Sequence, residues 1–424
     1  MIYKNFNNYK KNNNMEEIKM SYEDLKKLVP ENLKDIAQLQ TAGSKKYGKL
    51  AIGFGLAETV GSEALKFGKG SALLITDPMI VKLGMHDVVL ESLEKSGFNV
   101  DIFSDIEPEP HLEGVRKAQD VVKKGNYTVI IGMGGGSSMD TAKMSAIMGT
   151  NPGDILQYMQ GTPVDIEPLP LILLPTTSGT GSEVSPFMIT TIDGKKVFIT
   201  TTYGYSTMSL VDPLLTATMP PKVTAATGLD ALTHAVEGVI TKATPLSMLL
   251  ASKSVEYVFK YLERAVADGN DLEARYYMCF ASVFGMMAYV QGGGLYAHSM
   301  SYILTLDINT PHGIGCGVTL PYTLMYDYDD IKDLLAELAL TIDRESKGTV
   351  DEMAMSTVKK FKELLSKVKV ATNLNELGVE HEKVVPYAAE LINKYYRKTN
   401  PRSMNAEESL KLVESMWSGK LEKI

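Results

Sequence analysis

Residues 127–148 read YTVIIGMGGGSSMDTAKMSAIM, and they decide the fold. Tyr127–Gly134 is apolar and rich in β-branched residues, as a strand buried on both faces must be. Ser138–Met148 has helical character. Between them lie Gly134, Gly135, Gly136 and Ser137. There the backbone can approach a phosphate closely, and the N-terminus of the following helix offers N–H donors. A strand, a glycine loop and a helix in that order form the unit of an α/β sheet that binds ligands beyond its strand C-termini. The loop is not a P-loop, because it lacks the Gly-Lys-Ser/Thr ending. It also differs from the usual dinucleotide fingerprint, whose acid lies downstream; here the candidate acid, Asp77, lies upstream. The alternative for a glycine run is a bare turn.

The same alternation extends on both sides. LAIGF, SALLITD (71–77), FNVDIFSD (98–105) and PLILLPTT (170–177) read as strands. MIVKLGMHDVVLESLEKSG and LEGVRKAQDVVKKG read as the intervening helices. The order predicts a parallel sheet with helices on both faces. Residues 21–40 are expected to form short amphipathic helices, with Ser21 as N-cap and Pro30 as a break. Residues 1–14 are Asn- and Lys-rich and are expected to be disordered, and Met15 or Met20 could be the start. After Met219-Pro220-Pro221 long helical patterns take over. The expected division is an N-terminal extension (1–46), an α/β nucleotide-binding domain (47–218) and an all-helical domain (219–424).

Composition excludes several classes. A net charge of −8 argues against a nucleic-acid partner. The apolar runs are too short to span a bilayer, and the polar, basic N-terminus is no signal peptide. The 2 Cys, Cys279 and Cys316, cannot make a disulfide framework, so a cytoplasmic location and core thiols are expected.

The stretch TAATGLDALTHAVE (224–237) holds Asp230 and His234 at i, i+4, on one face of a helix and one turn apart. Such a pair can share a metal ion, although it is also common on helix surfaces. Two further histidines, His298 and His312, follow in GGGLYAHSMSY and NTPHGIG, so that half of the chain's 6 His fall in this set. His86, His111 and His381 read as surface residues.

GGGSSMD (134–140), PTTSGTGSEV (175–184), MPPKVTAATGLDALTHAVEG (219–238), His298 and PHG (311–313) together resemble the iron-containing (group III) alcohol dehydrogenase family, from about Gly53 to about Tyr322. The resemblance implies a dehydroquinate synthase-like architecture and a homo-oligomer, a dimer. It implies metal ligands at Asp230, His234, His298 and His312. It implies an NAD(P) site that includes Gly134, Gly135, Gly136, Ser137, Asp140, Thr176, Thr177, Thr180, Ser182 and Leu214, with Lys143 and Lys196 in cofactor-facing segments. For Lys196 a solvated lysine is the alternative. One Asp and three His suit Fe(II), which the family favours, and also Zn(II) or another divalent ion. Bound metal would act as a Lewis acid on the alcohol or carbonyl, with hydride exchanged with the nicotinamide. Asp77, placed to meet a ribose 2′-OH, points to NAD over NADP, although it could instead be a helix N-cap.

Two positions depart from the family pattern. The family carries a histidine four residues after the third ligand; here that residue is Tyr302, as in members similar to 4-hydroxybutyrate dehydrogenases. If its segment is helical, Tyr302 lies one turn beyond His298, within reach of substrate, as a proton relay or a pocket wall. A nearby cation would pull its pKa down. Glu109 replaces the Asn of a Pro-Asn-Pro motif, so the family's contact there is not carried over. The expected function is oxidation of a primary or secondary alcohol, or reduction of its aldehyde or ketone. The alternatives are a hydroxy-acid dehydrogenase and a non-catalytic nucleotide-binding protein. Sister enzymes resembling glycerol dehydrogenase or dehydroquinate synthase lack a counterpart of His234.

Overall fold

The computed structural model describes residues 20–35, 37–40, 48–107 and 109–424; the expected disorder of residues 1–14 lies outside them. The described residues form nine strands: β1 (Ala37–Gln40), β2 (Lys49–Ile52), β3 (Ser71–Ile75), β4 (Asn99–Phe103), β5 (Tyr127–Gly134), β6 (Leu171–Pro175), β7 (Phe187–Ile192), β8 (Lys195–Thr200) and β9 (Met208–Val211). Seven form one sheet in the order β1-β2-β9-β6-β5-β3-β4. Six run parallel, and β1 pairs antiparallel with β2 at the edge.

Side-chain alternation explains how this sheet is covered. Leu73, Ile75, Ile130, Leu171 and Leu173 point to one face, where they pack with Val115, Ala118 and Val122 of α5 (Leu112–Lys124) and with α6 (Gly136–Met148). Ala72, Leu74, Val129, Ile131, Ile172 and Leu174 point to the other. There they meet α2 (Val60–Ala64), α3 (Pro78–Lys82) and α4 (Asp87–Lys95). A short helix, α7 (Ile155–Met159), extends the first layer.

Several expectations are corrected. Ala37–Gln40 is a strand, not helix: its edge pairing with β2 overrides the helical propensity of AQLQ. The predicted single helix over residues 79–97 is two, α3 and α4, broken where Gly84 takes φ +68°. The β7–β8 hairpin, turned at Asp193-Gly194, and β9 were not anticipated. Ser21 does cap α1 (Tyr22–Lys27), accepting from Asp24 N–H. His86 is buried rather than on the surface, whereas His111 and His381 are exposed.

From Pro221 onward every described element is helical: α8 (Pro221–Thr241), α9 (Pro245–Ala267), α10 (Leu272–Gly292), α11 (Tyr296–Ile308), α12 (His312–Tyr326), α13 (Tyr328–Ile342), α14 (Val350–Lys367), α15 (Val384–Asn393) and α16 (Ala406–Ser418). Helix α8 is buried all round from Thr224 to Ile240 save for Thr227, because α9, α10 and α12 surround it. Pro221 at its first turn costs no hydrogen bond. No single described helix is long and apolar enough to cross a membrane.

Candidate metal and cofactor site

Helix α8 places Asp230 and His234 one turn apart, α11 supplies His298, and the first residue of α12 is His312. Gly313 lets α12 come this close, since a Cβ there would lie 1.9 Å from the carbonyl oxygen of Ala226. Asp230 Oδ1 lies 3.9 Å from His234 Nε2, 3.9 Å from His298 Nε2 and 3.7 Å from His312 Nε2. These separations exceed hydrogen-bond length. Burial holds the His298 imidazole well below its ordinary pKa, with His234 adding to the effect, against the pull of Asp230. Burial likewise lowers His312 to about 4, again against Asp230. Both rings are therefore neutral at pH 7, and neither forms an ion pair with the carboxylate. Asp230 Oδ1 and His298 Nε2 are buried with no hydrogen-bond partner. Orphaned buried polar atoms are costly, and converging lone pairs of O and N type fit a divalent cation.

Supporting contacts orient the donors. Glu237, fully buried, sets its Oε2 2.6 Å from His298 Nδ1 and also accepts from the backbone N–H groups of Leu295, Ala297 and His298. This directs His298 Nε2 toward Asp230. Ser301 Oγ lies 2.9 Å from His312 Nδ1. Tyr302 stacks on the His312 ring at 5.4 Å and 13°, with Phe198 of β8 tilted against it at 6.1 Å. Burial pushes the Tyr302 phenol up to about 12, with Arg397 opposing. The Arg397 guanidinium lies 5.6 Å from the centre of the Tyr302 ring and donates from Nε to Ser299 Oγ.

The glycine loop leaves the C-terminal end of β5. Gly134 takes φ +146°, and a Cβ there would stand 2.6 Å from Ser138 Oγ and 3.3 Å from Asp77 Oδ2. Gly135 caps α6, and Gly136 and Ser137 open it. Thr176 N–H donates to the Gly134 carbonyl, joining the loop to the 176–182 segment. Thr177 Oγ1 beside Gly135 is buried and unpartnered, and Thr180 packs against Gly136. This bare backbone, lined by hydroxyls at a helix N-terminus, fits a pyrophosphate.

Other predicted contacts turn inward. Asp140 accepts from Ser182 Oγ at 2.6 Å and from Ile189 N–H at 3.1 Å, which ties α6 to β7. Lys143 is fully buried and donates to the carbonyls of Ser185 and Phe187. Lys196 pairs with Glu109 and is nearly buried, so it is not a solvated lysine. Leu214 packs with Leu25, Ala217 and Leu272. Asp77 accepts through Oδ1 from Met79 and Ile80 N–H as the N-cap of α3, while Oδ2 faces the glycine loop.

Residues 48–213 match the iron-containing alcohol dehydrogenase family, and residues 224–417 match its C-terminal domain. The chain belongs to the iron-containing alcohol dehydrogenases. It is 34% identical to long-chain-alcohol dehydrogenase 1 of Geobacillus thermodenitrificans over 77% of this chain and 84% of that one. Its fold matches the crystal structure of a 1,3-propanediol oxidoreductase with a TM-score of 0.82 at 30% identity, covering 86% of this chain and 97% of the other. It also matches sulfoacetaldehyde reductase from Bifidobacterium kashiwanohense in complex with NAD+, with a TM-score of 0.78 at 28% identity over 90% and 99% of the two chains. The chain is thus an oxidoreductase of the NAD(P)-dependent, iron-type class.

Sequence reading passed over three contributors, two of which carried a spacing signal. Glu237 lies three residues after His234. Cys316 lies four after His312, and its Sγ is 3.6 Å from His312 Nε2. Arg397 has no local signal, because only tertiary packing brings it to Tyr302.

Proposed function

We propose that this iron-containing alcohol dehydrogenase interconverts a primary or secondary alcohol and its carbonyl compound at Asp230, His234, His298 and His312. The observation that carries the reading is the convergence of unpartnered Asp230 Oδ1 and His298 Nε2 with His312. A divalent ion held by these four residues would supply Lewis acidity toward the substrate oxygen, as NAD would supply hydride acceptance. The chain itself positions and desolvates. Glu237 fixes His298, Ser301 fixes His312, and Tyr302, with Phe198 against it, walls the site beside His312. Phe187 and Phe198 bring the β7–β8 hairpin onto Tyr289 and Tyr302, setting the nucleotide-binding half against the donor cluster. Stacked on His312 with Phe198 against it, Tyr302 is placed to shape the pocket. Asp77 Oδ2, beside the glycine loop, supports a preference for NAD over NADP. The domain limits 47–218 and 219–424, a homodimer and a cytoplasmic location belong to the same proposal.

Arg397 favours a second reading. Its guanidinium lies over the Tyr302 ring, which itself stacks on His312, and carries no ion pair among the described residues. Such a group can receive the anionic end of a hydroxy acid. The sulfoacetaldehyde reductase relative, by its name, handles an anionic aldehyde. The test is metal analysis after anaerobic purification, with kcat/KM for short alcohols, diols and hydroxy acids using NAD and NADP. Activity that survives complete chelation would overturn the metal reading. A clear advantage for ω-hydroxy acids that disappears in Arg397→Met would favour the second reading over the first.

A further inference from the structure

Asp230, His298 and His312 are shared between two overlapping donor sets. His234 completes one of oxygen and nitrogen. Cys316 completes the other: the ligand atoms of Asp230, His298, His312 and Cys316 all lie within 4.8 Å of one another. Cys316 projects from the same face of α12 as His312, one turn on, and its thiol is fully buried. The cluster also holds two orphaned polar atoms on residues that are themselves buried, Asp230 Oδ1 and His298 Nε2, at 3% and 2% residue exposure. The thiol therefore faces atoms that lack partners. Cys279, by contrast, lies against Ser178 and away from these residues.

We propose that Cys316 is an alternative metal donor that takes the place of His234 when the site binds a borderline-soft ion such as Zn(II) or Co(II). This rests on reading the cluster as a metal site. Fe(II) is served by the oxygen and nitrogen set, whereas a thiolate selects for softer ions. Binding forms a sulfur–metal bond, the thiol proton passes to solvent, and nothing is oxidised or reduced. The consequence is that the chain accommodates zinc without losing the three shared ligands, so its metal content follows supply.

The probe is Co(II) added at one equivalent to the metal-depleted full-length chain. Wild type, Cys279→Ser and His234→Ala should each develop a thiolate-to-cobalt charge-transfer band in the near ultraviolet. Cys316→Ser and Cys316→Ala should lack that band and keep the weaker visible bands of bound cobalt. In chelator competition the two Cys316 variants should lose at least about tenfold in Zn(II) affinity, the order seen when metal sites lose supporting groups, with Fe(II) retention unchanged. Bound cobalt without the charge-transfer band in wild type, or a band that persists in Cys316→Ser, overturns the thiol donor alone. Failure of wild type to hold cobalt at all overturns the underlying metal reading as well.

Discussion

Glu237 shows how one buried carboxylate sets the chemistry of a neighbour. Desolvation raises its pKa to about 6, against the stabilising backbone donors from Leu295 and His298. Its bond to His298 Nδ1 leaves the lone pair on Nε2 for a cation. Glu237→Gln keeps the volume and removes the charge. It should weaken metal binding by about 10–100-fold in chelator competition, with the fold intact by circular dichroism. An unchanged affinity would mean that Glu237 serves the helix junction only. His298→Ala should lose metal outright. The histidines also set a pH limit. The depressed pKa of His312, about 4, means that the neutral ligand form is present above that value and is lost as pH falls through it. Metal retention should therefore fail nearer pH 4 than pH 6.5, as read by metal content after dialysis across that range. A midpoint at the ordinary histidine pKa would show that burial does not protect the site. Asp230 with His234 was legible from helical spacing. Glu237 and Cys316 showed the same kind of spacing and were passed over, because a buried acid or thiol reads first as core.

At the scale of elements, strands buried on both faces were the easiest to read. β5 ends where its apolar run ends, since each residue from Val129 to Gly134 is buried. The β7–β8 hairpin was missed although alternation around Asp193-Gly194 is a hairpin signal. It lies outside the main sheet, so the α/β rhythm gave it no place. Yet it delivers Phe187 and Phe198 to the site. The start of α12 is equally consequential. Gly313 permits the contact with α8 that places His312 beside Asp230, and the obstructing atom is a backbone oxygen that cannot rotate away. Gly313→Ala should force the helices apart, at an overpacking cost of about 1–3 kcal/mol. Melting temperature and metal content should fall together. A variant with normal metal content would show that α12 tolerates the shift and that His312 is not placed by this contact.

Across the whole molecule, the N-terminal segment that lies outside the family match fastens the two halves beside Asp212 and Leu214. Tyr22 Oη donates to Asp212 Oδ2 at 2.5 Å, and Asp212 also accepts from the N–H groups of Ala57 and Leu214. Leu25 of α1 packs with Leu214 and Ala217, which follow the last strand, and with Leu272 at the start of α10. One short helix thus touches the end of the α/β part and the helical part together, far along the chain from either. The sequence showed its cap and its amphipathic pattern, but nothing in residues 21–33 says which surface covers them, because that surface is assembled from distant segments. Leu25 is 2% exposed, so Leu25→Ala removes a buried side chain and leaves a cavity, a change that costs roughly 2–5 kcal/mol in cores. The expected result is a melting temperature several degrees lower, since about 2–4 °C accompanies each kcal/mol in domains of 150–250 residues. Leu214 loses its backing at the same time, so KM for NAD should rise while metal content stays at the wild-type level, because the cluster includes none of the four proposed ligand residues. A fall in metal content with KM for NAD unchanged would reverse the assignment and make α1 a support of the helical half alone.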